Sequence, residues 1–416
     1  MNNRSIISVL YIAFFMLVGN ACASLEAREE AYLGRDALKS CQFAEAYDHF
    51  SNAHNLLRSN EEILIGLGLS ELALFLTSDD FNALLPRFGA SKTLVDLCHE
   101  AQDEDEAQDE APTTSCETIS FSKFRPSSHD GTARFYANID PKLTWQNCID
   151  VLVTHANLLQ DAAKHLLRAA QKIDDHYNLG DVFSFKDLSL NRADIALLAA
   201  TAALLSGLSR ILSHYDNRFS LRDTLEAFDL DQYDAQSALL NSYLLTPAQN
   251  GADASDALPA IEKAIIALGI LAEKGYELRE DYNDNGPRLD DDGCEKHTQL
   301  LRWETVPYGI YTDIKKLHDA LKDDHTLVLN RLLDPSATLS LPALLSRLPT
   351  RPAQLTILTA QNNELVWSLQ SIAKQLNSAF TPPIFDESSG NLYLAHDYNY
   401  RLNSAWLKLN IQDLIP

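Results

Sequence analysis

The sequence predicts an all-α protein of stacked antiparallel helix pairs, and three stretches carry that prediction. Between residues 27 and 77, large and small apolar residues recur at helical spacing through consecutive segments. From Trp145 onward, Cys148, Leu152, Ala156, Leu159, Ala163, Leu166 and Ala170 recur every three or four positions, which marks one buried face of a long helix. From Ala193 to Leu212 the chain is apolar nearly all round through Ile195 to Leu208, with Asp194 and Arg210 near its ends. That composition describes a buried central helix rather than a membrane span.

Residues 1–23 read as a secretory signal. Arg4 precedes an apolar run from Ile6 to Val18, and Gly19-Asn20-Ala21-Cys22-Ala23 supplies small residues at its end. The run is short for a membrane-spanning helix, so the mature protein is expected outside the cytoplasm, in a bacterial envelope. Two fates of the signal stand as alternatives. Ala21-Cys22-Ala23 suits ordinary cleavage before Ser24, and Cys22 also resembles the acceptor cysteine of bacterial lipoproteins. The place three residues before Cys22, where lipoproteins carry Leu, holds Gly19. The protein is therefore periplasmic or outer-membrane-associated, with a lipid on Cys22 as its one expected membrane attachment.

Residues 24–78 form the first helical unit. Leu33-Gly34, Phe43, Ala46, Phe50 and Ala53 alternate bulk with close-approach positions, and Leu67-Gly68 restates Leu33-Gly34 after 34 residues. In this pattern the stretch resembles the tetratricopeptide repeat: one full repeat plus the first helix of another. The aromatic usual in the first helix is replaced by Ala37. The resemblance implies an α-solenoid-like stack whose exposed face holds a segment of another protein.

Residues 79–135 change character. Seven of the eleven residues from Glu100 to Glu110 are acidic, and Pro112, Pro126, Ser127, Ser128 and Gly131 follow. Such a stretch buries too little apolar surface to offset its ordering entropy, so it reads as a loop or linker. Residues 136–332 read as the helical body. One of its helices starts near Ser255-Asp256, with Pro259 in its first turn and a stripe of Ile261, Ile265, Leu268 and Leu271. Shorter helices are expected at 313–332, 341–348 and 360–377. Within the C-terminal part, 333–416, Pro382-Pro383 breaks the pattern, and alternation between Asn391 and Leu409 suggests a small hairpin.

The charge balance narrows the partners. With 34 Lys and Arg against 58 Asp and Glu, the formal net charge is −24, so phosphate backbones and anionic headgroups are repelled. Nucleic acid is not an expected partner; another envelope protein is. Five cysteines follow Cys22, and Cys98 with Cys116 is the first expected disulfide because the two bracket the acidic stretch.

Candidate chemistry is sparse. Asp281-Tyr282-Asn283-Asp284-Asn285-Gly286 places oxygen side chains at alternate positions before a glycine, and Asp292 falls at the twelfth place. Asp281, Asn283, Asn285 and Asp292 are therefore candidate calcium ligands, while Arg288 stands where such loops carry an apolar residue. An acidic helix-to-helix turn has the same composition. No nucleophile elbow, zinc helix, phosphate loop or dinucleotide turn occurs, and no catalytic residue or further cofactor is assigned. The function expected is non-catalytic protein binding or scaffolding. Its alternatives are a helical small-ligand binder accessory to a solute transporter, and an enzyme without a recognisable motif.

Overall fold

The computed structural model describes residues 24–90, 92–96, 99, 138–173, 189–224, 254–285, 306–329, 337–346 and 370–385, with short pieces at 177–178, 247–248, 348, 356–359, 365–368 and 387. The signal segment with Cys22, and Cys98, Cys116, Asp292 and the 391–409 hairpin, lie outside the described residues.

The long helices pack as a row in which each touches the next. In order they are α1 (24–39), α2 (Phe43–Leu56), α3 (Glu61–Leu76), α6 (Ala156–Ala170), α7 (Arg192–Leu212), α8 (Leu258–Asn285) and α9 (Tyr308–Ala320). The protein is predominantly helical, with stacked helix–helix contacts as expected. Two shorter helices, α4 (Asp79–Leu84) and α5 (Trp145–Thr154), lie between α3 and α6 in the chain.

Glycines set the spacing of the row. The α1–α2 turn closes through Cys41 in the left-handed region (φ 58°), with Gln42 N–H donating to the Ala37 carbonyl, a helix stop usually made by Gly or Asn. A side chain on Gly34 would strike the Phe50 ring, and one on Gly66 of α3 would strike the same ring from the other side. Phe50 is wholly buried between them. Gly68, on another face of α3, lies against Leu166 of α6. Helix α3 is thus apolar all round because both flanks are covered; Asn60 caps its start by accepting from Ile63 N–H at 2.9 Å.

One arrangement recurs along the row. Ala46-Phe50-Ala53 on α2 faces Gly34, Ala162-Leu166-Ala169 on α6 faces Gly68, and Ala257-Ile261-Ala264 around the start of α8 meets Gly207. Each is small, large, small at i, i+4 and i+7, so one helix face offers a ridge between two shallow places where a glycine-bearing helix can approach. Gly275 of α8 likewise receives Tyr311 of α9.

The long helix expected through 145–170 is two helices. His155 leaves helical geometry (φ −101°, ψ 9°), directly after Val151, Val153 and Thr154. The Thr154 hydroxyl donates back to the Asp150 carbonyl at 2.9 Å, a local bond that competes with helix continuation. Helix α5 then packs on a separate cluster formed by Leu84, Ile139, Leu143 and Leu221.

Residues on either side of the 91–137 stretch are clamped together. Arg87 Nε donates to Asp140 Oδ2 at 3.0 Å, its Nη2 donates to the Lys142 carbonyl at 2.9 Å, and Asp140 N–H donates to the Arg87 carbonyl at 2.7 Å. The Asp140 carboxyl is held below its usual range first by the Lys142 N–H and then by Arg87. Arg87→Ala should therefore raise amide exchange at Asp140 and Leu143 while leaving α7 unchanged, read by hydrogen-exchange mass spectrometry. Unchanged exchange at both would mean that the backbone bonds hold the clamp alone.

The C-terminal part carries strands that the helical reading missed. β3 (Thr326–Val328), β4 (Thr338–Ser340) and β7 (Phe380–Thr381) form an antiparallel sheet with Leu327 opposite Leu339 and Leu339 opposite Phe380. It packs with Ile265 of α8 and Ala320 of α9, beside α10 (Leu341–Ser346). The helix expected over 313–332 stops at Ala320, because the chain turns through His325 (φ 62°) into β3. The one expected over 360–377 begins as β6 (Leu365–Ser368), paired with β5 (Thr356–Thr359), and is helical as α11 (Gln370–Asn377). β-branched and aromatic residues at 356–359 and 365–367 favour that pairing. A two-stranded pair, β1 (Tyr177–Asn178) and β2 (Ser189–Leu190), precedes α7.

Candidate functional site

Two places in the row stand out: an apolar ridge on α7 and a buried polar junction among α2, α3 and α6.

The ridge follows from how α7 is wedged. Asn191 and Asp194 start the helix as a reciprocal cap, Asp194 N–H donating to Asn191 Oδ1 at 2.9 Å and Asn191 N–H to Asp194 Oδ2 at 3.1 Å. Small residues let α6 and α8 close on two flanks; Ala162, Ala163, Ala202, Ala203 and Ala264 form an alanine cluster with Leu72 of α3 against it. Ser206 Oγ donates to the Ala156 carbonyl at 2.8 Å, and Arg210 donates to Asn157 Oδ1 at 2.6 Å. Among the described residues, the flank carrying Leu204, Leu208 and Leu212 is only partly covered. Leu204, Leu208 and Leu212 are 37 %, 47 % and 37 % exposed, with Leu197, Leu205 and Ile211 half-buried beside them. Among the described residues α7 alone is long and apolar enough to cross a membrane, and half of its apolar window is buried inside the protein. Burial all round, expected from composition, is thus corrected to burial with one row of leucines partly exposed.

The polar junction is inside the row. His165 on α6 and Glu71 on α3 pair through Nδ1 and Oε2 at 2.9 Å, and both residues are buried. The His54 ring of α2 stands edge-on to His165, centroids 5.3 Å apart. Burial pushes the Glu71 carboxyl up, against the hydrogen bond and charge of His165, which pull it down. Burial also pushes the His54 imidazole down, assisted by His165, Arg168, Lys164 and Arg58. The Tyr47 hydroxyl is raised by burial and then by the Glu71 and Asp161 carboxylates. A carboxyl and an imidazole in contact have the makings of an acid–base pair, but Glu71 is 3 % exposed, so no substrate reaches it in this arrangement.

His155 and His165, read as sharing one helix, serve different neighbours. His155 lies 3.7 Å from Asp80 and against the Phe75 ring, away from the Glu71 pair. Asp281, Asn283 and Asn285 belong to the last turns of α8, where alternate positions are separated by about 200° around the axis. Their backbone positions do not converge on one point, and Asp292 lies outside the described residues. Among the described residues no group of three or more His, Cys, Asp or Glu is placed to hold a metal ion. Cys41 is disulfide-bonded, and Cys148 on α5 is a free, half-buried thiol pushed up by burial. Glu71, His54 and the α7 ridge were missed in the sequence. The one available signal for the ridge was the row of leucines at 204, 208 and 212. Comparison with protein-family models, with curated proteins and with solved structures finds no match to this chain.

Proposed function

We propose that this chain is a non-catalytic protein-binding or scaffolding protein of the bacterial cell envelope, which holds its partner on the α7 ridge. The observation that carries the reading is that ridge: leucines 37–47 % exposed on a helix whose other flanks are tightly packed. A contiguous exposed apolar stripe on a chain of net charge −24 is costly to leave in water, and such stripes mark interaction surfaces. Tetratricopeptide-like packing is supported by the recurring small-large-small motif set against glycines 34, 68 and 207. On that reading the second repeat is split: its first helix is α3, and its second is α6, resumed after the 77–155 stretch. Export is supported by the signal-like residues 1–23 and by the disulfide at Cys41, since disulfides persist in oxidising compartments.

A photo-cross-linking side chain at Leu208, with the same group at exposed Asp161 on α6 as control, tests this in the native envelope. A discrete adduct at position 208 and not at 161 is the expected outcome. Leu204→Asp with Leu208→Asp should weaken capture roughly tenfold or more while the variant keeps its helical circular dichroism, because the removed side chains are already partly in water. Equal labelling at both positions, or capture indifferent to the double substitution, would remove the ridge as the binding face.

A further inference from the structure

We infer that the α2–α3–α6 junction is an acid-sensitive latch that loosens the α1–α2 hairpin from the rest of the helix row. Three helices bring their titratable groups to one place: His54 and Tyr47 from α2, Glu71 from α3, and His165 with Asp161, Lys164 and Arg168 from α6. Arg58 faces it from the turn after α2. One proton added to an ionised Glu71 and a neutral His165 leaves the pair with no net charge, whichever of the two holds it. A second proton makes the pair cationic, beside Lys164 and Arg168.

His54 decides the direction. Its Nδ1 is buried with no hydrogen-bond partner, so the neutral ring carries its proton on the other nitrogen. Protonation would place an N–H on Nδ1 with nothing to accept it, and would set a cation against the edge of His165. Those costs vanish when α2 moves away from α6 and water reaches the ring. As pH falls below the ordinary histidine range, the separated arrangement binds more protons and gains population.

The hairpin has a link of its own: His49, also on α2, has Nδ1 2.8 Å from Glu30 of α1. Among the described residues, a charged link without a histidine, Arg35 of α1 to Glu62 of α3 at 2.9 Å, joins the hairpin to α3. The hairpin is therefore linked within itself, and the junction that acid weakens lies on its outer side.

Hydrogen exchange on the mature chain, followed from about pH 7.5 to about pH 5 and corrected for intrinsic rates, tests the latch. Amides of α2 should lose protection at least roughly tenfold more than those of α7 and α8. His54→Gln, neutral at every pH, should keep α2 within about threefold of its protection at the higher pH. Parallel loss in α2 and α7, or an unaltered acid profile in His54→Gln, would overturn the latch. If that variant fails to fold, the comparison of α2 with α7 in the unmodified chain still decides.

Discussion

Phe50→Ala should destabilise the protein by about 3–5 kcal/mol, the largest single-residue loss expected from the packed row. The ring is wholly buried and is the shared wedge between α1 and α3, so its removal leaves a void that neither helix fills without moving. Two glycines exist to receive it. Gly66→Ala should also destabilise, because the new methyl collides with the ring, and Phe50→Leu should relieve part of that collision. The combined variant Gly66→Ala with Phe50→Leu is then less destabilised than the sum of the two singles, a coupling that urea unfolding midpoints measure directly. Strict additivity would show that the ring and Gly66 do not bear on each other in solution.

Glu71→Ala should cost about as much, roughly 3–5 kcal/mol, since it strips the buried His165 ring of its partner and opens a hole beside it. Glu71→Gln should cost far less, because an amide can donate to or accept from Nδ1 in either tautomer. The two variants separate packing from charge. The pH dependence has a definite sign. Burial holds the Glu71 carboxyl above its ordinary range in the folded chain, so between that range and the folded value the unfolded chain binds fewer protons. Wild-type stability contributed by this group alone is therefore greatest in acid and falls as pH rises through the window, opposite in sign to the His54 contribution at the same junction. Glu71→Gln lacks this term, so its stability relative to wild type should improve with rising pH, read from urea midpoints at a series of pH values. A difference that stays flat would place the carboxyl in its ordinary range and remove the burial argument.

Local periodicity accounts for how much of the fold was legible. The first hairpin, α6, α7 and the start of α8 each repeat apolar residues every three or four positions, and that pattern survives whatever the helix packs against. Shorter elements were less readable. Thr338–Ser340 and Thr326–Val328 are strands because each finds the other, and nothing within three residues says so. His155 interrupts a continuous apolar pattern because α5 and α6 bury their faces in different clusters.

The candidate site was less legible still. Glu71 and His165 lie 94 residues apart, and either alone reads as one polar residue on an apolar helix. The leucines of α7 are visible as leucines, but their exposure depends on where α6 and α8 settle.

The sequence by itself determined the helical class, the main helices, the acid surplus and the close-approach glycines, because each rests on local spacing or on composition. Only the tertiary structure decided which glycine meets which ring, that α6 completes the contact opened by α3, that Glu71 and His165 are hydrogen-bonded, and which leucines of α7 are exposed. Those outcomes depend on contacts between distant segments, whose partners are chosen by shape and burial across the whole row rather than by neighbours along the chain.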